Sequence, residues 1–135
     1  MPLRIVALFA LSFVVAAAPG GARAVAAPPA SLPPLPHTVG MSGPDVDLIE
    51  SGIAAFDRRD LRSARADFAK ALTIRSQTAI ATFNIGVTDV ELGDRAVGKR
   101  AMRLGFRLAG DHGMGGSPQA ASMRAIACAL GVELG

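Results

Sequence analysis

The stretch FDRRDLRSARADFAKAL, residues 56–72, places Ala64 and Ala71 on either side of Phe68. These three residues recur at helical spacing and predict the buried stripe of an α-helix. The charged turn at residues 58–60 precedes that helix. The stretch therefore predicts a turn followed by a helix whose buried face has two positions without bulk.

The same periodicity predicts a helix before this one and two after it, and a fifth helix over residues 118–130 follows a glycine-rich hinge. Helix boundaries are indicated by residues with known capping preferences. These are Ser42 at the start of the first helix, Gly93 at the end of the third, Gly110 at the end of the fourth, and Ser117 with Pro118 at the start of the fifth.

Helices one to four are two copies of one unit, because residues 34 positions apart correspond. Gly52 corresponds to Gly86 in the first helix of each unit. The same offset relates Ala64, Phe68 and Ala71 to Gly98, Met102 and Gly105. A period of 34 with small residues at such places is typical of the tetratricopeptide repeat, and residues 45–110 resemble that family.

The resemblance implies an all-α fold, a short solenoid of antiparallel helix pairs within a domain over residues 44–135. In such repeats the two helices of a unit cross closely, since residues without bulk let their backbones approach while Phe68 fills the gap beside them. Two units leave the last helix with an uncovered face, and stacks generally need three or more helix pairs. We therefore expect residues 118–130 to cover helix four.

The resemblance also implies a concave binding groove lined by the first helix of each pair. The expected groove residues are Ile49, Ile53, Phe56, Ile80, Phe83, Asn84, Val87 and Val90. An amphipathic helix or an extended apolar peptide fits such a strip. Alternatively, the chain covers the strip itself, with its proline-rich segment or with a second copy.

Helix four also carries a basic stripe opposite its apolar face. The stripe comprises Arg95, Lys99, Arg100, Arg103 and Arg107. Such a face is either simply solvated or a docking surface for acidic protein or anionic envelope polymers.

Residues 1–26 predict a cleaved signal peptide. Arg4 precedes an apolar run over residues 5–18, which is shorter than a membrane span, and small-residue cleavage sites follow. The protein is therefore expected to be exported, to a bacterial periplasm, and an uncleaved membrane anchor is the alternative. Residues 27–43 contain five prolines and predict an extended linker outside the core.

Charge and composition exclude several functions. Without Arg4 and Arg23 the chain has 12 basic residues against 11 acidic ones, and it lacks Trp and Tyr, so nucleic acid is not an expected partner. No nucleophile motif, phosphate loop or metal-ligand cluster is recognisable, and we predict no catalytic residues, no metal and no cofactor. Cys128 is either a small buried residue or a thiol that pairs between chains.

Together these features predict an exported, non-catalytic adaptor that binds a protein or peptide. The alternative, from another class, is a structural subunit of an envelope assembly that self-associates into a homo-oligomer through its incomplete stack.

Overall fold

The computed structural model describes residues 31–75 and 78–135, so the expected signal peptide at residues 1–26 lies outside the described residues. Within those two ranges the chain forms five α-helices and no strand, and the expectation of an all-α fold is confirmed. The helices are α1 (Pro44–Asp57), α2 (Leu61–Ile74), α3 (Ala79–Glu91), α4 (Arg95–Asp111) and α5 (Pro118–Leu130). None of these helices is both long and apolar enough to cross a membrane.

The central element is α3, which packs against α4, α2 and α1. Eleven of its 13 residues are buried. Its buried hydroxyls are satisfied within the helix, since Thr82 and Thr88 donate to the carbonyls of Thr78 and Asn84 one turn earlier. A helix buried on nearly every side is the centre of a core rather than an amphipathic surface element.

The backbones of α3 and α4 approach so closely that only glycine fits at the contact. A Cβ atom built on Gly98 would lie 2.5 Å from the carbonyl oxygen of Gly86, and one built on Gly105 would lie 2.6 Å from the backbone nitrogen of Phe83. In the first helix pair, the ring of Phe68 occupies the corresponding space beside Gly52.

The turns after α1 and α3 repeat the same hydrogen bonds 34 residues apart. The longest-range bonds of the two turns are Asp60 N–H to the Ala55 carbonyl, at 3.0 Å, and Asp94 N–H to the Asp89 carbonyl, at 2.9 Å. Arg59 and Gly93 take the left-handed conformation at equivalent places, with φ of 63° and 103°. The two helix pairs therefore end their first helices in the same way.

Arginines in α2 and directly after it form ion pairs with two buried carboxylates, one in α1 and one in α3. Arg75 Nε lies 3.4 Å from Asp45 of α1, and Arg65 Nε lies 2.6 Å from Asp89 of α3. Removing either arginine is destabilising, because it leaves a buried carboxylate without its ion-pair partner.

Two of the predicted helix boundaries are wrong. Gly43, not Ser42, is the N-cap of α1, and its φ of 136° is a conformation that favours glycine. Gly110 lies inside α4, which ends at Asp111 and is followed by the left-handed Gly113. The start of α5 is as predicted, since the Ser117 hydroxyl accepts the Ala120 N–H.

Residues 31–41, which we call the strap, pack onto the helices without forming regular secondary structure. The expectation that residues 27–43 lie outside the core is wrong for the strap, because Leu35 is 2% exposed and belongs to the core cluster. Pro36 and Thr38 are also buried. The physical reason is that packing the Leu35 side chain into the core removes apolar surface from water, which stabilises the fold.

Replacing Gly98 by alanine should destabilise the protein by about 1–3 kcal/mol, because the new methyl group must displace the backbone of α3. Gly110→Ala is the matched control in the same helix, where no described atom lies within 4 Å of the added carbon. That variant should be neutral or more stable by up to ~1 kcal/mol. Thermal unfolding followed by circular dichroism measures both, and equal melting temperatures for the two variants would contradict the close crossing.

Candidate functional site

The strap is held by three different helices, each of which hydrogen-bonds to its main chain. The three contacts are Ser122 Oγ of α5 to the Pro34 carbonyl at 2.8 Å, Asn84 Nδ2 of α3 to the Pro36 carbonyl at 3.2 Å, and the Thr38 N–H to Glu50 Oε1 of α1 at 2.9 Å. The contacted strap residues alternate along the chain, as they do in an extended peptide bound at one edge. All three contacts involve the main chain of the strap.

Glu50 makes the densest set of contacts with the strap. Its Oε1 also accepts the Thr38 hydroxyl at 2.6 Å, and its Oε2 accepts from His37 Nδ1 at 2.7 Å. Burial alone would raise the pKa of Glu50, but the hydrogen bonds from Thr38 and His37 outweigh that effect and hold the pKa below its ordinary value of 4.5. The ionised carboxylate therefore stabilises the bound strap.

Asn84 lies at the bottom of this site and is completely buried. Its amide nitrogen donates to the strap, but its Oδ1 atom accepts no hydrogen bond from any described residue. Pro36, the strap residue that Asn84 contacts, has no backbone N–H to offer. Of the two polar groups of this side chain, only the amide nitrogen is therefore hydrogen-bonded to a described residue.

The prediction of an exposed apolar groove is wrong, because each of its expected residues is at most 6% exposed. They are Ile49, Ile53, Phe56, Ile80, Phe83, Asn84, Val87 and Val90. Phe83 and Val90 lie against Gly105 and Gly98 of α4, so they belong to the helix crossing. The other apolar members join Leu35 in one core cluster. In the structure the strip is thus covered by the strap, which is part of the proline-rich segment. This is the first of the two kinds of cover that the sequence left open.

A cavity of about 270 Å³ lies beside the strap. It is lined by strap residues 34–37 and Val39 on one side and by Pro118, Gln119 and Ser122 of α5 on the other. Val39 is 76% exposed. Most of the cavity wall is therefore strap surface, and Val39 adds an exposed apolar side chain to it.

The basic stripe of α4 divides into two groups. Arg95 and Arg103 donate to the carbonyls of Leu130 and Glu133, at 3.2 and 2.8 Å, and so bind the chain at the end of α5 and just beyond it. None of the five stripe residues forms an ion pair within the described part of the chain. Arg100 and Arg107 are exposed, with the exposed Leu104 between them.

Cys128 is exposed, so the interpretation of it as a small buried residue is wrong. It lies at the edge of a shallow depression that also contains Phe106 and Arg124. The Arg124 guanidinium lies 5.1 Å from the centre of the Phe106 ring, a cation–π contact. The described residues contain no cluster of three or more His, Cys, Asp or Glu side chains that could hold a metal ion.

Sequence reasoning missed the residues that bind the strap, above all Glu50 and Ser122. Neither residue lies in a recognisable motif, and each contacts the strap only because the fold brings it there. A signal for the strap itself was present, since Leu35 and Leu32 are large apolar residues among prolines. Large apolar side chains in an exposed linker are not stabilised by burial, so their presence in this segment indicates that it packs on the protein.

Comparison of the chain with protein-family models, with curated proteins and with solved structures gives no significant match.

The strap should loosen as the pH falls through the lowered pKa of Glu50. A carboxylate whose pKa is lower in the folded state contributes stability that is complete above its ordinary value of 4.5 and is lost as the pH falls below it. The hydrogen-exchange protection factor of the Thr38 amide, which donates to Glu50, measures this. In Glu50→Gln the protection should be lower at neutral pH and insensitive to acid. A wild-type protection factor that does not fall in acid would show that Glu50 does not hold the strap.

Proposed function

We propose that this protein is an exported, non-catalytic adaptor of the tetratricopeptide type, which binds an extended segment of a partner protein on the face formed by α1, α3 and α5. The observation that carries the proposal is the binding of the strap by one side chain from each of these three helices, through its main chain. A face that already holds one extended segment has the chemistry to hold another.

The helix arrangement supports this class of protein. The turns repeat their hydrogen bonds 34 residues apart, and glycines at the repeat positions allow the α3–α4 crossing. In helical repeats of this kind, the first helix of each pair lines the concave surface used for binding. Here those helices are α1 and α3, with α5 following in the place of a further first helix.

The mode of recognition follows from the contacts. Main-chain hydrogen bonds supply affinity with little dependence on sequence, and a pocket for one apolar side chain supplies selectivity. In the strap that side chain is Leu35. We therefore expect partner segments to be extended and to carry one large aliphatic residue.

A random peptide library displayed on phage tests this function. The target is the full-length chain with Leu35→Asp, which removes the apolar anchor of the strap and opens the face. The matched control is Val39→Asp, which adds the same charge to the strap at an exposed position. We expect Leu35→Asp to enrich peptides with a large aliphatic residue and Val39→Asp to enrich few.

Adding Asn84→Leu to the opened chain identifies where the peptides bind. If they bind on the α1–α3–α5 face, their affinity should drop while circular dichroism shows unchanged helicity. Failure of Leu35→Asp to enrich any peptide beyond the control would refute the proposal, and so would enriched peptides that bind equally well after Asn84→Leu.

A second candidate function is binding of an anionic polymer on the outer face of α4. The observation that favours it is the group of cations there without acidic partners in the described chain, in particular the exposed Arg100 and Arg107. Summed charge of one sign on a surface attracts oppositely charged macromolecules in a salt-dependent manner.

Arg100→Gln with Arg107→Gln should lower the salt concentration at which the protein elutes from an immobilised polyglutamate column. The matched control is Arg58→Gln with Arg62→Gln, two exposed arginines on other elements, which changes the net charge equally. If the two double variants elute at the same salt concentration, the α4 face is an ordinary solvated surface.

A further inference from the structure

We propose that the strap is an internal ligand, and that a partner segment replaces it by offering the buried Asn84 Oδ1 atom the backbone N–H that Pro36 lacks. This inference rests on the proposed function and specifies the chemistry of the segment that is bound.

Asn84 has a hydrogen-bond partner among the described residues for its amide nitrogen and none for its amide oxygen. The side chain is completely buried, its Nδ2 donates to the Pro36 carbonyl at 3.2 Å, and its Oδ1 has no donor among the described residues. A buried acceptor without a donor is destabilising, and such groups are few in folded proteins. The strap is therefore an imperfect match for the side chain that contacts it at its centre.

In a β-extended backbone, the N–H and C=O of one residue point to the same side. A partner residue in that conformation that places its carbonyl at Asn84 Nδ2 can direct its own N–H toward Oδ1. In the strap the residue at this place is Pro36, which has no N–H. A partner residue with an N–H can therefore complete a two-bond contact with the amide.

A cavity of about 270 Å³ lies between the strap and α5, and five of its eight lining residues belong to the strap. When a partner replaces the strap, the surface that remains at this place is that of Pro118, Gln119 and Ser122 of α5. A partner segment with a large aliphatic residue in the place of Leu35 therefore replaces the apolar burial that the strap provides.

The strap has one advantage over any partner, because it is part of the same chain. A tethered segment competes at an effective concentration in the millimolar range. Its prolines also reduce the conformational entropy that is lost on binding. A partner must therefore bind more tightly than the tethered strap, and the hydrogen bond to Asn84 Oδ1 that the strap lacks supplies the difference.

The test uses two fluorescent peptides with the sequence of residues 31–41 and Pro36→Ala, one with an ordinary alanine and one with N-methylalanine at that position. The two peptides differ in having an N–H or an N–CH₃ group at position 36, and the N-methyl group stands in for the N-alkyl group of Pro36. The target is the full-length chain with Leu35→Asp. We expect the peptide with the N–H to bind about 5–20-fold more tightly, as measured by fluorescence anisotropy. With Asn84→Leu added to the target, the ratio of affinities should fall to about one.

The outcomes separate this inference from the proposed function. Equal affinities of the two peptides for the chain with intact Asn84 would overturn the inference while leaving peptide binding established. If neither peptide binds Leu35→Asp, nor the milder Leu35→Ala, and both variants are folded by circular dichroism, the inference and the proposed function both fail. A Leu35→Asp chain that sediments as a dimer and is not dissociated by peptide would make a second copy the occupant and would also overturn the inference.

Discussion

At the crossing of α3 and α4, the carbonyl oxygen of Gly86 lies where a side chain on Gly98 would begin, and Gly105 meets the backbone of Phe83 in the same way. Glycine in a helix interior costs up to ~1 kcal/mol relative to alanine. This cost is offset by the close packing that the contact allows along the helix pair. The burial of α3 depends on this contact, because α4 can cover that side of α3 only at this short distance.

A buried α3 explains how a polar side chain comes to lie beneath the strap. Asn84 is completely buried, and it still reaches a main-chain carbonyl of the strap. In a helix with one solvated face the same amide would bond to water. Because α3 has almost no exposed face, Asn84 bonds to protein, and the strap is the protein segment that it meets. Helix packing and strap binding are thus two consequences of one arrangement.

Each of the three helices that hold the strap binds a main-chain group of it, and α1 also binds two of its side chains through Glu50. The main-chain contacts use groups that peptides share, apart from the N–H that proline lacks, whereas Leu35 is the large strap side chain that is fully buried. Such a division gives affinity for many extended segments and selectivity through a single anchor. The basic face of α4 carries a separate chemistry, and two of its five cations already bind carbonyls at and beyond the end of α5.

The sequence by itself determined the five helices, the 34-residue correspondence and the positions without bulk, because helical periodicity and capping are local and the repeat compares the chain with itself. It also placed Asn84 beside the apolar strip. Only the tertiary structure decided that the strip is covered: Leu35 packs against helices that follow it in the chain, and Glu50 and Ser122 bind strap residues 12 and 88 positions away. Contacts at that separation leave no periodic pattern. The burial of Leu35 and the missing donor at Asn84 Oδ1 depend on how the helices pack, which local sequence does not encode.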